Sequence, residues 1–284
     1  MADFGRTGFG RLNRAVFGWR PWRRAPRPTV EELGKDGPLT AMVIVAHPDD
    51  AEFLCAGTVA KWCDQGWTVY YVLVTSGDKG THDSSLSQQA LAALREQEQR
   101  DACRVLGVQE VVFLGYPDGF LQPDTELRGQ IVRVLRRYRP DVVVTWDGFR
   151  PGFNHSDHRA VGIAVRDAVY PAVRDHLYYP QDQADGLEAH KVNEMLLAGS
   201  EDPDYHVDIS AYLEKKLEAL FCHRSQLGGR SPDEIRRMWG ERMKNTRGRG
   251  VVESFKRVQI RRSSRPKKTD GQPAETPAAG QRSS

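Results

Sequence analysis

A chain of 284 residues is long enough for one α/β domain that buries its core without disulfides, and too short for a second full domain. Its 41 Lys and Arg against 38 Asp and Glu leave a formal charge of +3, too small to mark a nucleic-acid binder, so no nucleic-acid partner is expected. Cys55, Cys63, Cys103 and Cys222 form no CxxC pair and read as small buried hydrophobes of a reduced compartment; with neither an uninterrupted apolar run of about 18 residues nor a secretory signal in view, a cytoplasmic protein is expected.

The positive charge is concentrated at the ends, in Arg6 to Arg27 and in Arg257 to Lys268. Residues 1–38 read as a basic, poorly ordered extension: Phe17, Trp19 and Trp22 among arginines suit weak contact with a membrane surface, but Pro21, Pro26 and Pro28 limit any helix. The core opens at Ala41 to Ala46, a continuous apolar run of the kind found in a parallel strand covered on both faces. Ala51 to Gln65 follows at helical spacing and stops at Gly66, and Val69 to Val74 is a second strand, which completes a βαβ unit. The alternation continues with a helix from Leu86 to Leu106 closed by Gly107, a strand from Glu110 to Leu114, a helix from Thr125 to Tyr138 stopped by Pro140, and a strand from Asp141 to Thr145. A helix then runs from Asp157 to about Tyr170, strands are expected at Val192 to Leu197 and Tyr205 to Ile209, helices at Ala211 to Arg224 and Pro232 to Lys244, and a late extended segment at Val251 to Ile260. The pattern predicts a Rossmann-like, doubly wound, mostly parallel sheet flanked by helices over residues 39–260, with a disordered Ser-, Pro- and Lys-rich tail over 261–284.

Ligands of such sheets gather at the carboxyl ends of the strands. Two polar clusters are placed there. His47-Pro-Asp-Asp50, with Glu52, directly follows the first strand; an Asp-rich turn capping the next helix is the plain alternative. Asn154-His-Ser-Asp-His158 follows the strand at Asp141 to Thr145 across a Gly- and Pro-containing loop. Together they offer two kinds of donor for a site of two His and one Asp with an open water position, which suits zinc and also admits iron(II) or another divalent ion. Asp50 can ligate while Asp49, projecting differently from the turn, takes a proton from water made acidic by the ion. Of the two histidines in the second cluster, one can bind the ion and the other, held by Asp157, can stabilise the oxyanion or protonate the leaving amine.

Ala46-His-Pro-Asp-Asp-Ala-Glu52 resembles the AHPDD motif, and His155-Ser-Asp-His158 the HxDH motif, of the LmbE-like (PIG-L) N-acetylglucosaminyl deacetylase family, with similarity from about Ala41 to Gln226. The resemblance implies a catalytic zinc and removal of an N-acyl, typically acetyl, group from a small amino sugar, glycoconjugate or related amide. Carried over by position, it implies His47, Asp50 and His158 as zinc ligands, Asp49 as general base, His155 as the imidazole that stabilises the intermediate and Asp157 as the residue that orients it. It also implies substrate contacts from Arg95, from Asp118 in Gly115-Tyr-Pro-Asp-Gly119 and from His223 in Cys222-His-Arg-Ser-Gln226, beside which stand the plain readings of a helix surface charge, a type I turn and a satisfied helix-end histidine. Two other readings stand beside it: an amidase acting on a thiol or peptide conjugate through the same metal chemistry, and a non-catalytic small-molecule-binding module. The first-strand loop has no GxGxxG for a dinucleotide, and neither a ligand nor the base is missing.

Overall fold

The computed structural model describes residues 33–152, 154–237 and 250–260; the expected tail and all but residues 33–38 of the expected head lie outside them. In chain order the elements are β1 (Thr40–Val45), α1 (Asp50–Asp64), β2 (Thr68–Thr75), α2 (Gln88–Leu106), β3 (Glu110–Tyr116), α3 (Thr125–Tyr138), β4 (Val142–Trp146), α4 (Ser156–Val169), β5 (Glu194–Ala198), β6 (Tyr205–Asp208), α5 (Leu213–Phe221) and β7 (Val252–Gln259). Of the helix expected over 232–244, residues 232–237 are helical and the rest falls outside the described residues. Local chemistry sets several boundaries. Ser87 Oγ accepts from the Ala90 amide at 3.2 Å at the start of α2, Asp124 Oδ1 accepts from Leu127 at 2.9 Å at the start of α3, and Gly107 closes α2 with φ 85°.

Seven strands among the described residues form one sheet in the order β3-β2-β1-β4-β5-β7-β6. β1 to β5 pair in parallel, whereas β7 is antiparallel to both β5 and β6. The chain winds outward from β1 through β2 and β3 on one side and through β4 and β5 on the other, so the loops after β1 and β4 diverge and leave a crevice between them at the carboxyl edge.

Side chains alternate along β1. Ala41, Val43 and Val45 enter the core under α1 and α2, while Met42 and Ile44 enter the core under α3 and α4. Both faces are covered, which is why the strand is apolar throughout, and burial of each Val, Leu or Ile contributes roughly 1.5–3 kcal/mol. α5 packs on α1 and α2 and brings Lys216 beneath α1. There the Lys216 ammonium donates to Glu253 Oε1 at 2.6 Å and to the Phe53 carbonyl at 2.9 Å, and Glu253 also accepts from the amides of Gly57 and Thr58 and from Thr58 Oγ1.

The approach of α4 to β4 depends on Gly162. A Cβ at that position would lie 2.5 Å from both the Trp146 carbonyl oxygen and the Gly148 nitrogen. Without it, the helix carrying His158 settles against the end of β4. No helix among the described residues is long and apolar enough to cross a membrane.

Candidate active site

The turn between β1 and α1 carries the first cluster. Asp49 occupies the N-cap position of α1 with φ 96°, in the left-handed region that a non-glycine residue enters only when its surroundings hold it there. Its side chain makes no capping hydrogen bond, so capping does not account for it. Two groups of α2 hold the turn instead: Gln99 Oε1 accepts from the Asp49 amide at 3.1 Å, and Arg95 Nη2 donates to the Pro48 carbonyl at 2.6 Å and lies 3.4 Å from Asp49 Oδ2. Burial, followed by the like charge of Asp50, lifts the Asp49 carboxyl from its ordinary 3.8 to about 7, against the pull of Arg95.

Asp50 is the hub. Its Oδ2 accepts from the amides of Ala46 and His47 at 3.2 and 2.9 Å and from Trp146 Nε1 at 3.3 Å, and it lies 3.5 Å from His47 Nδ1. Its Oδ1 lies 3.1 Å from His158 Nε2. Burial alone would raise this carboxyl, but His158 and His47 hold it far below the usual carboxylate range. Trp146 stacks on His158 with ring centroids 3.9 Å apart and 10° between planes. This tryptophan fixes one imidazole by its face and Asp50 by its N–H.

The opposite side of His47 meets two more acids. Nε2 lies 3.1 Å from Asp118 Oδ1, in the loop after β3, and 3.3 Å from Asp157 Oδ2, at the start of α4. Burial disfavours a charged imidazole, yet the hydrogen bonds with Asp118, Asp157 and Asp50 outweigh it and lift His47 from 6.5 to about 11. Asp118 is pulled down to about 2, its burial overcome chiefly by His47, and it accepts from the Lys79 amide at 3.1 Å. Two donor groups capable of holding a metal ion thus overlap at His47: His47, His155 and His158, and His47, Asp118 and Asp157, each with ligand atoms within 4.8 Å of one another.

Protein groups hold the Asp157, Arg95 and His223 side chains. The Asp157 carboxylate was expected to orient His155, but its hydrogen bonds go to His47 and to the amides of Gly119 and Leu121, at 2.7 and 3.3 Å. It is the Asp157 backbone N–H that donates to His155 Nδ1, at 3.2 Å, because His155 is the N-cap of α4 and its ring folds over the first turn. That bond leaves the proton of the neutral, exposed ring on Nε2. Burial and the neighbouring His47 and His158 lower the His155 pKa, which favours the neutral ring. Arg95, expected as a substrate contact, is 3% exposed and donates also to the Gly77 carbonyl at 2.9 Å. His223, expected likewise, is fully buried, with Nε2 3.0 Å from Glu52 Oε2, so its ring presents no face to a substrate; the end of α5 turns it inward against α1. Its pKa is raised, burial being outweighed by Glu52.

Gln99 was missed altogether. The one signal for it was a polar residue four positions after Arg95 on a helix whose neighbouring positions, Leu91, Ala102 and Cys103, are buried.

Imidazoles and carboxylates gathered at the switch point of a doubly wound sheet define an α/β protein with a donor cluster that could hold a metal ion. Residues 42–169 match the family described as PIG-L: GlcNAc-PI de-N-acetylase. A diacetylchitobiose deacetylase of Thermococcus kodakarensis is 34% identical over 198 residues, covering 70% of this chain and 72% of the relative. A probable N-acetyl-alpha-D-glucosaminyl L-malate deacetylase of Bacillus anthracis is 31% identical, over 65% of this chain and 80% of the relative. Among solved structures, the N,N'-diacetylchitobiose deacetylase from Pyrococcus horikoshii superposes with a TM-score of 0.71 at 32% identity, over 78% of this chain and 84% of that one. The chain belongs to the PIG-L (LmbE-like) family, whose relatives here are deacetylases named for N-acetylglucosamine-containing compounds.

Proposed function

We propose that this protein hydrolyses the N-acetyl amide of a 2-acetamido sugar or small glycoconjugate, with a divalent ion, zinc by the match of two borderline imidazole nitrogens and one carboxylate oxygen to its usual ligands, held by His47, Asp50 and His158. The observation that carries the reading is the Asp50 carboxylate, each of whose oxygens faces one imidazole, at 3.5 and 3.1 Å, beside a second carboxylate that does no capping. The donor set fits such an ion: Asp49, Asp50, Asp118 and Asp157 converge on one crevice, with Arg95 paired to the first of them. Bound there, the ion supplies a water of lowered pKa and polarises the substrate carbonyl.

The chain's own groups do the rest. Asp49, in its ionised form, accepts the proton of the attacking water; burial and Asp50 raise its pKa to about 7 without an ion, which makes it a stronger base than an ordinary carboxylate. His155 offers its Nε2–H to the oxygen on which negative charge develops, with its ring set by the Asp157 amide. Asp49 or His155 delivers a proton to the departing amine. Asp118 and Asp157 hold the His47 ring and keep its nitrogens directed, as carboxylate partners of metal-binding histidines do.

The test is metal content of the purified protein with amine release from N-acetylglucosamine, N,N'-diacetylchitobiose, a glucosaminyl-inositol amide and a cysteinyl amide. About one ion per chain with release from an acetamido sugar supports the proposal. Release from the cysteinyl amide alone would transfer the chemistry to thiol conjugates, and absence of both metal and turnover would leave a binding module.

A further inference from the structure

The segment Cys222 to Gln226 is singled out by sequence and unused by the chemistry above. It is tied to the back of the site at three points: His223 to Glu52 on α1, Ser225 to Glu98 on α2, whose carboxylate accepts from its amide and hydroxyl at 2.8 and 2.6 Å, and Gln226 to the Gly80 carbonyl at 3.1 Å. From His223 a line of hydrogen bonds continues inward. Glu52 Oε1 accepts from Gln99 Nε2 at 3.0 Å, and Gln99 Oε1 accepts from the Asp49 amide at 3.1 Å. Glu52, Gln99 and His223 are all fully buried.

The direction of this line is fixed by chemistry. A backbone N–H can only donate, so the Gln99 atom facing Asp49 must be its carbonyl oxygen. The Gln99 amino group then faces Glu52, an acceptor, and its second N–H faces Cys103 Sγ at 3.8 Å. Glu52 in turn requires a donor on its far side, and His223 Nε2–H is that donor. An inverted amide would set oxygen against carboxylate and N–H against N–H. The line ends on Asp49, a non-glycine residue whose backbone lies in the left-handed region and is strained unless its surroundings hold it there.

We propose that Gln99 is a positioning residue for Asp49: oriented by Glu52 and, through it, by His223, it pins the left-handed turn that directs the Asp49 carboxylate into the crevice. The inference rests on the reading of Asp49 as the base. It touches neither the ion's ligands nor a substrate, so its signature is a loss in kcat with KM and metal content unchanged.

The experiment uses zinc-loaded full-length protein acting on N,N'-diacetylchitobiose and compares Gln99→Met, Gln99→Glu and the exchanged pair Glu52→Gln with Gln99→Glu. Gln99→Met keeps the length and removes the bonds; misplacement of a base by a fraction of an ångström lowers kcat about 10- to 100-fold, with KM and zinc per chain within twofold. Gln99→Glu alone opposes two carboxylates and loses at least as much. In the exchanged pair the line from His223 to Asp49 is restored, since the new amide donates to the new carboxylate and accepts from His223 while the carboxylate accepts from the Asp49 amide; kcat recovers at least tenfold over Gln99→Glu. Normal kcat in Gln99→Met, or an exchanged pair no better than Gln99→Glu, overturns the positioning role. Asp49→Asn separates the two readings: if it retains turnover, the assignment of the base fails; if it abolishes turnover while Gln99→Met is unaffected, only the positioning role fails.

Discussion

Two buried clusters of charge meet α1, and they are composed in opposite ways. Beneath its middle, one ammonium faces one carboxylate, and both Glu253 oxygens are filled by Lys216, two amides and a hydroxyl. At its N-terminus four carboxylates, Asp49, Asp50, Asp118 and Asp157, share one crevice with the Arg95 guanidinium at one corner, and His47 is driven to about 11 by the acids around it. A cluster that balances itself is a structural joint. A cluster left acidic in a crevice at the switch point of the sheet is arranged for a cation and for chemistry. The α1 dipole, positive at its N-terminus, makes the crowding of Asp49 and Asp50 tolerable but does not neutralise it.

Substitutions on the two sides should therefore fail differently. The largest effect is expected from Asp49→Ala, which should lower kcat by about 10²–10⁴-fold while zinc per chain, read by elemental analysis, stays unchanged. Next, Glu253→Ala leaves a buried ammonium opposite an alanine and should cost about 3–5 kcal/mol of stability in denaturant unfolding, with zinc affinity of the folded protein unaltered. Asp118→Asn removes a carboxylate partner of His47 and should weaken zinc binding by roughly 10- to 100-fold, with little change in the stability of the metal-free protein. If Glu253→Ala lowered zinc affinity as much as Asp118→Asn, the division between the clusters would not hold.

The smallest and most graded effect is on pH. Asp49 acts as a base only when ionised, so kcat/KM should fall as pH drops through its pKa. Burial and Asp50 place that value at about 7 without an ion, and a nearby cation, which favours the carboxylate, shifts it downward. The acid limb should therefore have its midpoint at or below about 7, approach tenfold per pH unit below it, and be read from initial rates across pH 4 to 9. A midpoint well above 7 would assign the limb to another group.

Most of the fold was legible because burial on both faces writes itself as unbroken apolar runs, as in Ala41 to Ala46, and because Gly107 and Pro140 punctuate the helices as expected. The place of β7 was not: an antiparallel strand inserted between β5 and β6 is chosen by long-range pairing, and nothing local in Val252–Gln259 specifies its neighbours. In the site, the two clusters were legible as polar residues where core packing needs none. The direction of side chains was not. Asp157 and His223 were placed in the right neighbourhood but given partners that their helix ends turn them away from, and Gln99 was hidden because a buried amide in a helix reads like any surface glutamine.

The most direct test of the cation-matched site is calorimetric titration of zinc into the metal-free protein in buffers of differing ionisation heat. About one equivalent should bind with release of at least one proton, because His47, held charged by Asp118, Asp157 and Asp50, must surrender a proton to ligate, and that binding should be lost in His158→Ala. Binding without proton release, or equal binding in His158→Ala, would contradict the cation-matched site.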